Sequence, residues 1–171
     1  QYVVTMEDDV RLHPQLGEML ASQGWQWPSH ACGCLQLHTS AKYRTKYRRG
    51  GRWRLKPSES FDMLGACALM LRRDAVETLV DAADTDGWRG DTGAEIIDPK
   101  EKKAGDTWIG EVLTRAGFEV WIYNPSLAEH IGTDSTLGHS KFDSNPNRKT
   151  LDYPGDQTNL FSIFTTASKM K

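Results

Sequence analysis

No apolar run in the 171-residue chain approaches the roughly 18 residues that a membrane-spanning helix needs. A large charge of one sign is also missing. Lys and Arg number 21 against 23 Asp and Glu, a formal net charge of −2, which excludes a globally basic nucleic-acid binder. Cysteine is scarce: Cys32, Cys34 and Cys67 are odd in number, and a CxC spacing fits neither a disulfide framework nor a paired CxxC zinc site. Zinc held by these three is the lesser reading. Buried free thiols in a reducing cytoplasm are the better one. No nucleophile-bearing DxDx[TV] pattern and no Gly-rich phosphate loop occurs, which weighs against phosphotransfer chemistry.

What is present reads as globular. With 38% hydrophobic and 26% charged residues, the chain is expected to form one packed domain over residues 1–140, with 141–171 a polar extension packing on it. "QYVVTM" predicts a short buried strand that runs directly into Glu7, Asp8 and Asp9. Pro14 stands where a first helical turn would begin, and Leu16, Met19 and Leu20 follow at helical spacing. "CGCLQLHT" predicts a second strand, and "MLGACALMLRR" a central one around residues 64–71. "RDAVETLVDAAD" reads as an amphipathic helix with Ala75, Leu79 and Ala82 on one face. "GDTWIGEVLTRAG" is the clearest helix, with Asp106 as its N-cap, Ile109, Val112 and Leu113 as its apolar face and Gly117 as its stop. "FEVWIYNP" predicts the strand after it. Strands interleaved with helices give an α/β class with a mixed second half.

In open α/β sheets, ligands bind outside the carboxyl ends of the strands, and Glu7-Asp8-Asp9 stands at such an end. Carboxylate oxygens there suit a hard cation such as Mg²⁺ or Mn²⁺. In an extended turn Glu7 and Asp9 would share one side and Asp8 the other. A solvated or helix-capping turn would place the same residues there, so the acids alone leave both readings open.

The segments "LGACALMLRRDA", "GDTWIGEVLTRAGFEVWIYN" and "PSLAEHIGTDSTLG" follow the acidic motif in an order that resembles metal-dependent nucleotide-sugar glycosyltransferases of the A-type fold. "EDD" stands for their Asp-X-Asp motif. The order is similar to that of bacterial lipooligosaccharide transferases, the ending to that of branching N-acetylglucosaminyltransferases, and the likeness covers about residues 2–140. It implies an α/β fold with a mixed sheet flanked by helices, and transfer of a sugar from a nucleotide-sugar donor, expected to be a uridine diphosphate sugar, to the hydroxyl of a glycan or other acceptor. Carried over by position, Asp9, Glu7 and His130 would hold Mn²⁺ or Mg²⁺. Glu7 and Asp8 would also belong to the donor-binding side of the motif, Asp8 as the outward-facing partner. Gly65 and Ala66 would be the small residues where the strand passes the donor sugar. Asp106 would be the general base of an inverting displacement. The resemblance further implies a cytoplasmic protein of bacterial or phage origin.

In that class the base and ribose are gripped mostly upstream of the acidic motif, where this chain has almost nothing. The expectation is therefore a chain that begins inside the fold, or a transferase-like binding domain without turnover. A further partner is suggested by residues 42–56, which carry Lys42, Arg44, Lys46, Arg48, Arg49, Arg52, Arg54 and Lys56 with Tyr43, Tyr47 and Trp53 interleaved and no acid. A solvated loop explains this composition. So does a surface for phosphate attraction and base stacking, as in a DNA-modifying transferase.

Overall fold

A computed structural model of the chain describes residues 1–22, 25–40, 43, 51–55, 63, 65–86, 105–131, 153–155 and 159–160. Seven strands and three helices are described: β1 (Tyr2–Met6), β2 (Val10–Leu12), α1 (Leu16–Ala21), β3 (Cys32–Gln36), β4 (Gly51–Arg54), β5 (Ala68–Arg72), α2 (Arg73–Asp86), α3 (Gly105–Arg115), β6 (Glu119–Asn124) and β7 (Ala128–His130). The main sheet has the order β1-β5-β3-β6-β4, and β2 pairs with β7 in a separate two-stranded ribbon. Only β3 and β6 run parallel; the β1–β5, β5–β3 and β6–β4 pairs are antiparallel. The fold is thus α/β with a mixed sheet, as the interleaved pattern predicts. β1, β3 and β6 consequently present their carboxyl ends at the same edge of the sheet, where β5 begins.

Side-chain alternation fills both faces of this sheet. Cys34, Leu69, Leu71, Val120 and Ile122 point to one side, where Ala75 of α2 and Leu113 of α3 complete a buried cluster. Leu35, Ala68, Met70 and Tyr123 point to the other, against Leu16 and Met19 of α1 and Val10 and Ala128 of the ribbon. The apolar stripes anticipated for the helices are the ones that pack. α3 ends at Gly117, whose φ of +85° suits a residue without Cβ. There the Gly117 N–H donates to Thr114 O (3.1 Å) and the Phe118 N–H to Leu113 O (2.9 Å), a Schellman closure.

Three expectations are corrected. β1 is an edge strand and not a buried one: among the described strands it pairs with β5 alone, and Val3 and Met6 are 45% and 58% exposed. Its apolarity reports sheet propensity, and only Val4 packs against the core cluster. β5 starts at Ala68, later than residue 64, because Gly65 takes a φ of +77° that breaks the strand. Within the basic stretch, where the sequence reads as a long loop or a hairpin about Gly50-Gly51, Gly51–Arg54 is a strand paired with β6.

Arg54 pairs with Glu119 at 3.0 Å. Arg52 donates to Gln26 O and lies 5.7 Å from the centre of the Trp25 ring. Tyr43 is buried in the core. Lys42, Arg44, Lys46, Tyr47, Arg48, Arg49 and Lys56 lie outside the described residues. Of the expected C-terminal extension, Leu160 is fully buried, its N–H bonded to Gln15 Oε1 (2.8 Å), and Gly155 O lies 3.1 Å from His13 Nε2. The rest of 141–171, apart from residues 153–154 and 159, lies outside the described residues. No described helix is long and apolar enough to cross a membrane.

Candidate functional site

The acidic turn is anchored on both sides by main-chain bonds. The Glu7 N–H donates to Cys67 O (2.9 Å), extending the β1–β5 ladder by one rung. The Ile131 N–H donates to Asp9 O (2.8 Å), extending the β2–β7 ribbon, in which Val10 faces His130. The ribbon thus brings a histidine from far along the chain onto the end of β1. His130 Nε2 stands 3.3 Å from Asp9 Oδ2 and 3.7 Å from Glu7 Oε2. Glu7 and Asp9 therefore share a side, as the alternation predicts. Asp8 is exposed.

Two further side chains close this cluster, and sequence reasoning missed both. Cys67 lies at the start of β5, and one donor atom each from Glu7, Cys67 and His130 lie within 4.8 Å of one another. Burial and the neighbouring Glu7 and Asp9 charges push the Cys67 thiol up to about 12. His38 lies just past β3 and is 1% exposed, its ring centre 6.4 Å from that of His130. Among the described residues, neither of its ring nitrogens has a hydrogen-bond partner, and neither does the buried Asp9 Oδ1. His38 is fixed from both sides: the Leu127 N–H donates to Leu37 O (2.8 Å), and the Thr39 N–H to Ser126 Oγ (2.9 Å). Their positions carried a signal, since both stand at strand ends on the edge of the sheet where β1, β3 and β6 present their carboxyl ends.

Burial, with a smaller contribution from His130, lowers His38 to about 4, against 6.5 when unfolded. Native His38 thus stays neutral while the unfolded chain takes up its proton. Its contribution is complete above pH 6.5 and is lost as pH falls from 6.5 toward 4. Chemical denaturation at pH 7 and pH 5 should show a loss of about 2 kcal/mol in the wild type that is absent from His38→Gln. Equal pH dependence in the two proteins would contradict this assignment.

Asp106 connects to the cluster through Gly65. It is the second residue of α3, inside the helix and not at the cap position expected for it. Asp106 Oδ1 accepts from the Thr107 N–H and Oδ2 from the Gly65 N–H, both at 2.8 Å. The Gly65 carbonyl accepts from Gln36 Nε2, also at 2.8 Å. A methyl group on Gly65 would lie 3.4 Å from Cys67 Sγ and 3.7 Å from His38 Nδ1, so Gly65 separates Asp106 from the cluster. There is room for that methyl group; the positive φ is what demands glycine. Gly65→Ala should cost about 1–2 kcal/mol, read as a lowered denaturation midpoint at unchanged slope. Ala66, the other small residue singled out, is half-buried against the helix-side core.

Among the described residues, Glu7, Cys67 and His130 form the group whose donor atoms gather closely enough to hold a metal ion, and Asp9 lies beside it, 3.3 Å from His130 Nε2. The Asp9 oxygen without a partner is the group such an ion would satisfy. The chain matches no model of a known protein family and no curated protein.

Proposed function

We propose that the protein transfers a sugar from a nucleotide-sugar donor to an acceptor hydroxyl, with a divalent cation held by Glu7, Asp9 and His130. The observation carrying this reading is the approach of His130 Nε2 to both acids, at 3.3 and 3.7 Å, across more than half the chain. These are the residues that the A-type transferase motif assigns to the metal. Further support comes from their setting: Glu7 and Asp9 follow the carboxyl end of β1 in a mixed sheet, and the β2–β7 ribbon lays His130 against them.

The cation, Mn²⁺ or Mg²⁺ in the simplest form of the reading, would offset the negative charge developing on the departing diphosphate. Glu7, Asp9 and His130 bind and orient, and of the two small residues Gly65 is the one that lies against the cluster, while Ala66 packs on the helix side of the sheet. Asp106 takes the proton of the acceptor hydroxyl. That oxygen forms the new bond to the anomeric carbon while the bond from that carbon to the phosphate oxygen breaks, and the nucleoside diphosphate leaves with the electron pair. Attack opposite the leaving group inverts the anomeric centre.

Thermal unfolding with Mn²⁺ and uridine, guanosine or cytidine diphosphate tests the reading. At a hundredfold excess over Kd, one nucleotide should stabilise the protein by about 2.7 kcal/mol, a rise of roughly 5–10 °C for a chain of this size. No shift with any of the three would count against a transferase.

A further inference from the structure

We propose that Cys67 is a ligand of the same cation, so that the site takes a thiolate-accepting ion of the zinc class in preference to a hard one. The inference rests on the reading of Glu7, Asp9 and His130 as metal-binding, but the cysteine belongs to no part of the transferase motif. One donor atom each of Glu7, Cys67 and His130 already lie within 4.8 Å of one another. Donors at roughly 2.0–2.3 Å from a tetrahedral ion stand about 3.3–3.8 Å apart. His130 Nε2 lies 3.7 Å from Glu7, inside that interval, and 3.3 Å from Asp9, which stands next to the Glu7–Cys67–His130 group and not within it. One sulfur, one imidazole nitrogen and carboxylate oxygens form a borderline donor set, which suits Zn²⁺ and Co²⁺ better than Mg²⁺.

A second observation points to a ligand at this place. His38 is 1% exposed, both its ring nitrogens lack a partner among the described residues, and its ring lies edge-on to His130. Its Nδ1 and the Cys67 sulfur flank the same point beside Gly65. A buried imidazole with no hydrogen bond is costly. Oxygen entering an expanded coordination shell, from water or from a donor diphosphate, would give it a partner. On binding, the S–H bond of Cys67 breaks, a sulfur–metal bond forms, and the proton leaves to solvent. The other two thiols are not equivalent. Cys34 is fully buried on the helix side of the sheet, and Cys32, also fully buried, directs its thiol to the Cys34 carbonyl.

Cobalt absorption reads the sulfur directly and needs no turnover. Co²⁺ added to the full chain should give a near-ultraviolet sulfur-to-cobalt charge-transfer band, removed by Zn²⁺ and not by excess Mg²⁺. The Cys32→Ala/Cys34→Ala double variant, whose sole thiol is Cys67, must keep the band. Cys67→Ala must lose it, and should weaken Zn²⁺ binding by at least the roughly tenfold to hundredfold of an outer-shell loss. Should Cys67→Ala not fold, the double variant still decides. Cation binding without a charge-transfer band in that variant overturns the cysteine assignment and leaves the Glu7–Asp9–His130 reading intact. No binding of Co²⁺, Zn²⁺ or Mn²⁺ overturns both.

Discussion

Asp9→Ala should abolish cation-dependent donor binding while leaving the fold in place. The side chain is one-third exposed, its Oδ1 has no hydrogen-bond partner among the described residues, and its Oδ2 gives up the 3.3 Å approach to His130 Nε2, which keeps Glu7 at 3.7 Å. What Asp9 gives the fold is its backbone, whose carbonyl accepts from the Ile131 N–H, and alanine keeps that bond. Removing one of two neighbouring carboxylates also relieves like-charge repulsion, so the stability change should stay within about 1 kcal/mol. Donor affinity should fall by roughly a hundredfold or more, since a direct ligand matters at least as much as an outer-shell one. Binding measured with cation and with chelator should become indistinguishable in the variant. Retained cation dependence would remove Asp9 from the site.

Asp106→Asn should separate binding from turnover. Loss of a general base costs on the order of a hundredfold to ten-thousandfold in rate. The donor site does not include this carboxylate, so donor affinity should be unchanged and the loss should appear in kcat. A structural effect accompanies it. Both carboxylate oxygens accept main-chain N–H groups, from Thr107 and Gly65, and asparagine can serve only one of them. A stability loss of about 1 kcal/mol is therefore expected alongside the kinetic one. A full transfer rate in the variant would leave Asp106 as the tie between α3 and Gly65 and nothing more.

Much of this arrangement was legible in the residues. The unbroken apolar run in "CALML" and the β-prone "VWIY" announce strands, and Gly117 announces the end of α3, because each is a local consequence of composition or backbone conformation. The side shared by Glu7 and Asp9 followed from alternation as well. Burial of β1 was misjudged because an apolar strand looks alike at an edge and in the middle, and its neighbours are set by chain segments remote in sequence. β2 and β7 are three residues each, too short for any period, yet their pairing is what carries His130 to Asp9. Cys67 and His38 were passed over for a related reason. A lone thiol in "GAC" and a lone histidine in "QLHT" gain meaning only when β5 and β3 set them beside the acidic turn.

Calorimetric titration of the full chain with uridine diphosphate tests the central claim most directly, run with saturating divalent cation and again with chelator, on the wild type and on Asp9→Ala. The account predicts binding by the wild type with cation present, and none in the other three titrations. Equal binding with cation and with chelator, or wild-type affinity in Asp9→Ala, would contradict it.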